Sequence, residues 1–99
     1  MIAAPTLEAV KLALRLDEGA DVDDDAFLSR IIRSGTEHAN RQAPDAPADT
    51  AHEAIIRFCG FMYEGPSATA GGNEAGIWRR CGAAGLLSPW TVRRAGAIR

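Results

Sequence analysis

Residues 50–63 read Thr-Ala-His-Glu-Ala-Ile-Ile-Arg-Phe-Cys-Gly-Phe-Met-Tyr. Ala51, Ile55, Phe58 and Met62 recur at helical spacing, and Ala54, Cys59 and Phe61 widen the stripe until much of the circumference is apolar. A helix of that kind belongs at the centre of a helical fold. Thr50 with Glu53 three residues later is a capping-box pattern, so the helix is expected to start at Asp49 or Thr50. Tyr63-Glu64-Gly65-Pro66 ends it.

Working towards the N-terminus, Pro44 to Pro47 is a short linker. Before it, Phe27, Leu28, Ile31 and Ile32 form an apolar stripe that continues more weakly through Gly35 and Ala39. This helix begins near Asp23 or Asp24, where acids suit the positive end of the helix dipole, and stops before Ala43-Pro44. A further helix opens at Thr6 as N-cap, with Glu8 in its first turn. Leu7, Val10 and Leu14 share a face supported by Leu12 and Leu16, and Asp17-Glu18-Gly19 supplies the turn.

Towards the C-terminus, 67–72 is a loop of small residues, and Asn73 caps a fourth helix with Ile77, Cys81, Ala84 and Leu86 or Leu87 along one side. Gly76, Gly82 and Gly85 each weaken it by about 1 kcal/mol relative to Ala, which suggests close packing against another backbone. Ser88-Pro89 ends it. The expected fold is all-α: a small four-helix domain over residues 1–88, then an extended basic tail over 89–99. Trp90, Val92 and Ile98 give that tail an apolar side, and an indole is costly to leave in water, so the tail reads as a docking segment. The helix-packing set is Phe27, Ile31, Ile55, Phe58, Met62, Ile77 and Leu87.

The chain has 99 residues, 46% hydrophobic and 24% charged, which is one globular domain and excludes a wholly disordered chain. No apolar run approaches the roughly 20 residues that span a bilayer, so no membrane partner is expected. MIAAPTLEAVK lacks the charged n-region and long apolar stretch of a secretory signal. A domain this small often gains stability by oligomerising. Its charge is polarised: Asp17, Glu18, Asp21, Asp23, Asp24 and Asp25 crowd the front, while Arg79, Arg80, Arg93, Arg94 and Arg99 follow the last acid, Glu74. Such polarity serves head-to-tail association between copies or docking on an acidic partner, against the plainer reading of a solvated loop and tail.

Chemical motifs fail on inspection. Asp21-x-Asp23-x-Asp25 begins like a calcium loop, but Ala26 stands where the loop needs Gly and Ile32 where it needs Glu. Gly71-Gly72 lacks the following Gly-Lys-Ser/Thr of a phosphate loop. Cys59 and Cys81 read as reduced core thiols, and neither pairs with His38 or His52 at zinc-ligand spacing. The histidines read as surface or packing residues, so no catalytic residue, metal or cofactor is expected. Arg79-Arg80 and Arg93-Arg94 could meet phosphates, but the fourth helix carries Ile, Cys, Ala, Gly and Leu where a DNA reader carries basic and amide side chains.

Two stretches carry a family resemblance. TLEAVKLALRLDEGADVDDDAFLSRIIRSG (6–35) resembles the opening of small head–tail connector (adaptor) proteins of tailed phages, prophages and gene transfer agents. There a short helix ending in Leu-Arg-Leu-Asp precedes an acidic turn and a longer helix. WRRCGAAGLLSPW (78–90) with Val92-Arg93-Arg94 resembles the family's close, a small-residue helix, then Leu-Leu-Ser/Ala-Pro-aromatic, then a basic tail. Thr91 departs from the pattern, since an Arg often follows the aromatic. The resemblance implies a structural subunit of the virion, assembled in the host cytoplasm, with no enzymatic activity. Its ring, dodecameric in the family, would sit between the portal protein and a tail-side stopper or tail terminator protein. DNA would pass through the channel without sequence-specific binding. Trp90, Val92, Arg93, Arg94 and Ile98 would engage the portal, and Asp17 to Asp25 would lie on the ring or channel surface. The alternative is a small helical DNA-binding or regulatory protein.

Overall fold

A computed structural model describes residues 1–15, 22–64 and 74–91, apart from the side chains of residues 22–24 and 64. The described elements are α1 (Leu7–Ala13), α2 (Val22–Gln42), α3 (Ala48–Glu64), α4 (Glu74–Arg80), α5 (Ala83–Leu86) and a 3₁₀ turn, Ser88–Trp90. No strand occurs among the described residues, and the fold is all-α. No described helix is long and apolar enough to cross a membrane.

The short connection over residues 43–47 folds α2 back on α3 as a helical hairpin. Leu28, Ile31, Ile32 and Ala39 of α2 meet Ala51, Ala54, Ile55, Phe58, Cys59 and Met62 of α3, all buried, at the i, i+3, i+4 spacing of a single face. Side chains of α3 pack directly on the backbone of α2 at Gly35. A methyl there would lie 3.0 Å from Phe58 Cδ2 and 3.2 Å from Ile55 Cγ2, so hydrogen is the only side chain that fits without displacing the core. Ile77 and Leu87 complete the core from the C-terminal elements. Of the expected packing residues only Phe27 is half-buried; it lies 6.4 Å from the Tyr63 ring, with the Arg30 guanidinium 5.4 Å above it.

The structure corrects three boundaries. Helix α3 starts at Ala48, because the Pro47 carbonyl accepts from Ala51 N at 2.9 Å; Asp49 and Thr50 therefore lie inside the first turn and neither is the N-cap. Thr6 does cap α1, its hydroxyl accepting from Ala9 N at 3.1 Å, a bond worth about 1 kcal/mol. That helix stops at Ala13 rather than near Leu16, as Arg15 turns left-handed at φ 60°. Leu12, inside α1 but two residues on from buried Val10 and so on the opposite side of the helix, faces solvent, 80% exposed, instead of supporting the apolar face. The expected fourth helix is two helices. Gly82 breaks it at φ 93°, a conformation that costs glycine little and other residues about 1 kcal/mol or more. Gly85 packs against nothing within 4 Å of an added methyl, so close packing is not its role.

Residues 1–6 are anchored too. Asn40 on α2 accepts from Ile2 N at 2.7 Å and donates to Ile2 O at 3.0 Å, pairing side-chain amide with peptide unit. His52 Nε2 lies 2.9 Å from Ala3 O; a carbonyl only accepts, so that nitrogen carries the proton. Ile2 and Pro5 are buried as a result.

Candidate functional site: the exit of the C-terminal segment

The break at Gly82 sends α5 back against α3 and brings the 3₁₀ turn to the C-terminal end of α2. Gln42, in the last turn of α2, gathers these pieces. Its Oε1 accepts from Trp78 Nε1 at 2.8 Å; its Nε2 donates to Ala84 O and to Thr91 Oγ1, each at 2.9 Å. Thr91 in turn donates its hydroxyl to Leu87 O at 3.2 Å, and its N–H reaches Ser88 O at 3.2 Å. One amide thus joins α2, α4, α5 and the residue from which the basic segment departs. Thr91 supplies the hydroxyl that fixes this exit.

Trp90 sits on the exit turn with its side chain partly open to solvent, 38% exposed. Pro89 in the first positions of the 3₁₀ turn costs no hydrogen bond there. Val92, Arg93, Arg94 and Ile98 lie outside the described residues, as do Asp17, Glu18 and Asp21. The side chains of Asp23 and Asp24 are outside them also, though both residues belong to the first turn of α2. Asp25 is half-buried, its Oδ1 2.6 Å from Lys11 Nζ, so this carboxylate is paired within the chain to α1.

Beside the exit lies an aromatic cluster. The His38 ring stacks on Trp78 at 5.4 Å and 20°, and Phe58 meets both rings at 5.6 Å. Burial, then the Arg41 guanidinium, holds the imidazole below its ordinary value, opposed by Glu74 and Glu37. Across the cluster Glu74 takes the Ser34 hydroxyl at 2.5 Å and faces Arg30 at 3.8 Å, docking the start of α4 on α2. A cleft of about 250 Å³ opens here between α2 and α4, lined by His38, Arg41, Gln42, Ala75, Trp78 and Arg79. A wider open groove of about 640 Å³ runs between the outer face of α2 and Met1 and Ala4, bordered by Ile32, Arg33 and Glu37.

Both cysteines are free. Burial pushes the Cys59 thiol up to about 12 and raises Cys81, which donates to Trp78 O at 3.4 Å. Thiols held protonated in this way are poor nucleophiles and poor metal ligands. Among the described residues no group of three or more His, Cys, Asp and Glu side chains is placed to hold a metal ion.

Sequence reasoning missed Gln42, whose role depends on partners 36 to 49 residues away. The available signal was an amide at the last helical position, just before Ala43-Pro44. No family model, no curated protein and no solved structure matches the chain.

Proposed function

We propose that this chain is a structural head–tail connector subunit. In this reading it forms a ring between the portal and tail-side proteins of a phage or phage-like particle, and the segment from Trp90 onward grips the portal. One observation carries the reading: the basic segment leaves from a fixed point. Gln42 and Thr91 anchor the exit to the helical body, and they present a half-exposed indole, Trp90, two residues before Val92-Arg93-Arg94. A docking arm needs that combination, since a pre-set origin lowers the entropy lost on binding and an aromatic next to guanidiniums makes a strong anchor. The two quoted sequence resemblances support the same reading.

Deleting residues from Trp90 onward should leave the helical body folded, because the core of α2, α3 and Ile77 is untouched, and should abolish binding to portal. Full-affinity binding by the truncated chain would refute the assignment.

Exposed Arg33, Arg41, Arg79 and Arg80 favour the second reading, a DNA-binding protein. Against it, α4 has only seven residues and buries Gly76, Ile77 and Trp78, leaving little surface for base readout. Titration of the isolated chain with duplex DNA separates the two: a steep loss of affinity with salt belongs to the DNA-binding protein alone.

A further inference from the structure

The cleft between the last turn of α2 and α4 has one sign of charge. Arg41 and Arg79 line it, both exposed, and neither is ion-paired among the described residues, whereas Arg30 is matched by Glu74 and Arg57 by Glu53. No acid lines the cleft. Its floor is rigid: Trp78 is buried, stacked on His38 and tied through its indole N–H to Gln42, whose own N–H groups are spent on Ala84 and Thr91. The charged donors that can turn to a ligand are the two guanidinium forks, which match a carboxylate in two-point geometry. At about 250 Å³ the cleft is smaller than the 300 Å³ or so at which small-molecule pockets begin, so it suits one side chain from another polypeptide.

The ligand chemistry this asks for is present in the same sequence. Asp17, Glu18, Asp21, Asp23 and Asp24 precede or open α2, far in sequence from Arg79, and Asp25, the next acid of the stretch, is matched within the chain by Lys11. We propose that the Arg41–Arg79 cleft is a carboxylate receptor that takes an acid of the 17–24 segment from a second copy of this chain. The contact is heterologous, cleft on one copy and acid on the next, so every copy keeps one of each to offer. This places the acidic segment against a neighbour rather than in a channel. It rests on the connector reading only for closure into a ring.

Sedimentation of the full chain at low salt and rising concentration tests the pairing. The wild type should self-associate, and added salt should reverse it. R41E/R79E should weaken association by about tenfold or more, and D17K/D21K likewise. Mixing these two charge-reversed chains should restore it, and R80E should change it little. R41Q/R79Q, milder at a helix C-terminus, repeats the loss if the double Glu variant loses its circular dichroism. A wild type that stays monomeric throughout, association indifferent to both arginines, or folded charge-reversed partners that fail to rescue each other would overturn the proposal. Portal capture by the same variants reads the connector assignment separately: loss of self-association with intact portal capture sinks neither, and intact self-association without capture sinks only the connector.

Discussion

Gly35→Ala should destabilise the protein although it places a better helix former in the interior of a long helix. Gly35 has ordinary helical geometry, so alanine gains about 1 kcal/mol of helix propensity. The new methyl would sit 3.0 Å from Phe58 Cδ2 and 3.2 Å from Ile55 Cγ2. Neither neighbour has room to retreat: both are fully buried, and the Phe58 ring packs at 5.6 Å against both the His38 and Trp78 rings, which are themselves stacked on each other. Overpacking of this kind costs about 1 to 3 kcal/mol, and the rigid ring puts the cost in the upper part of that range. The net loss is then about 1 to 2 kcal/mol, which for a domain of this size lowers Tm by about 4 to 8 °C per kcal/mol. Gly85→Ala is the matched control: it is exposed, lies within α5 and has nothing near the added methyl, so it should keep the propensity gain and raise Tm. Thermal unfolding followed by circular dichroism reads both. A Gly35→Ala chain at least as stable as the wild type would refute the claim that the hairpin is closed around this glycine.

Three further outcomes follow. Gln42→Ala leaves the Trp78 indole N–H without its partner and should cost about 1 to 3 kcal/mol in urea unfolding; an unchanged midpoint would count against the central role given to that amide. His38 is held below its ordinary pKa of 6.5, so the folded state binds fewer protons than the unfolded one. Its contribution is complete above 6.5 and is lost as pH falls through the folded value, with burial and then Arg41 opposing protonation and Glu74 and Glu37 favouring it. His38→Phe keeps an aromatic against Trp78 and should flatten that part of the stability profile; superimposable profiles would reject the assignment. Finally, Cys59, at about 12, should resist a thiol reagent at mildly alkaline pH until the chain is unfolded, and prompt labelling of the native protein would show that the helical core opens readily.

The hairpin was legible because its signal is periodic. Residues such as Leu28, Ile31, Ile55 and Phe58 announce a buried face whatever they touch, and burial followed for each. Boundaries were less legible. Thr50-x-x-Glu53 has the letters of a capping box, but Pro47 is a better entrance, with its fixed φ and a carbonyl free to accept from Ala51. The run from Ile77 to Leu87 keeps a helical period across a residue that leaves the helix, because apolar spacing does not register a single left-handed glycine. At the candidate site, Trp90 could be picked out by chemistry alone, whereas Gln42 and Thr91 could not. Their significance lies in meeting one another across 49 positions, and no local pattern encodes such a meeting.

The amide of Gln42 also carries a mechanical load. Tension applied beyond Thr91 is shared between the backbone that runs to buried Leu87 and the bonds of the Thr91 hydroxyl to Gln42 and to Leu87 O, and those polar bonds are the exposed part of the attachment. The end of the chain is therefore coupled to the body through a fuse: small displacements are transmitted stiffly while those bonds hold, and once they part the backbone to Leu87 carries the pull without them.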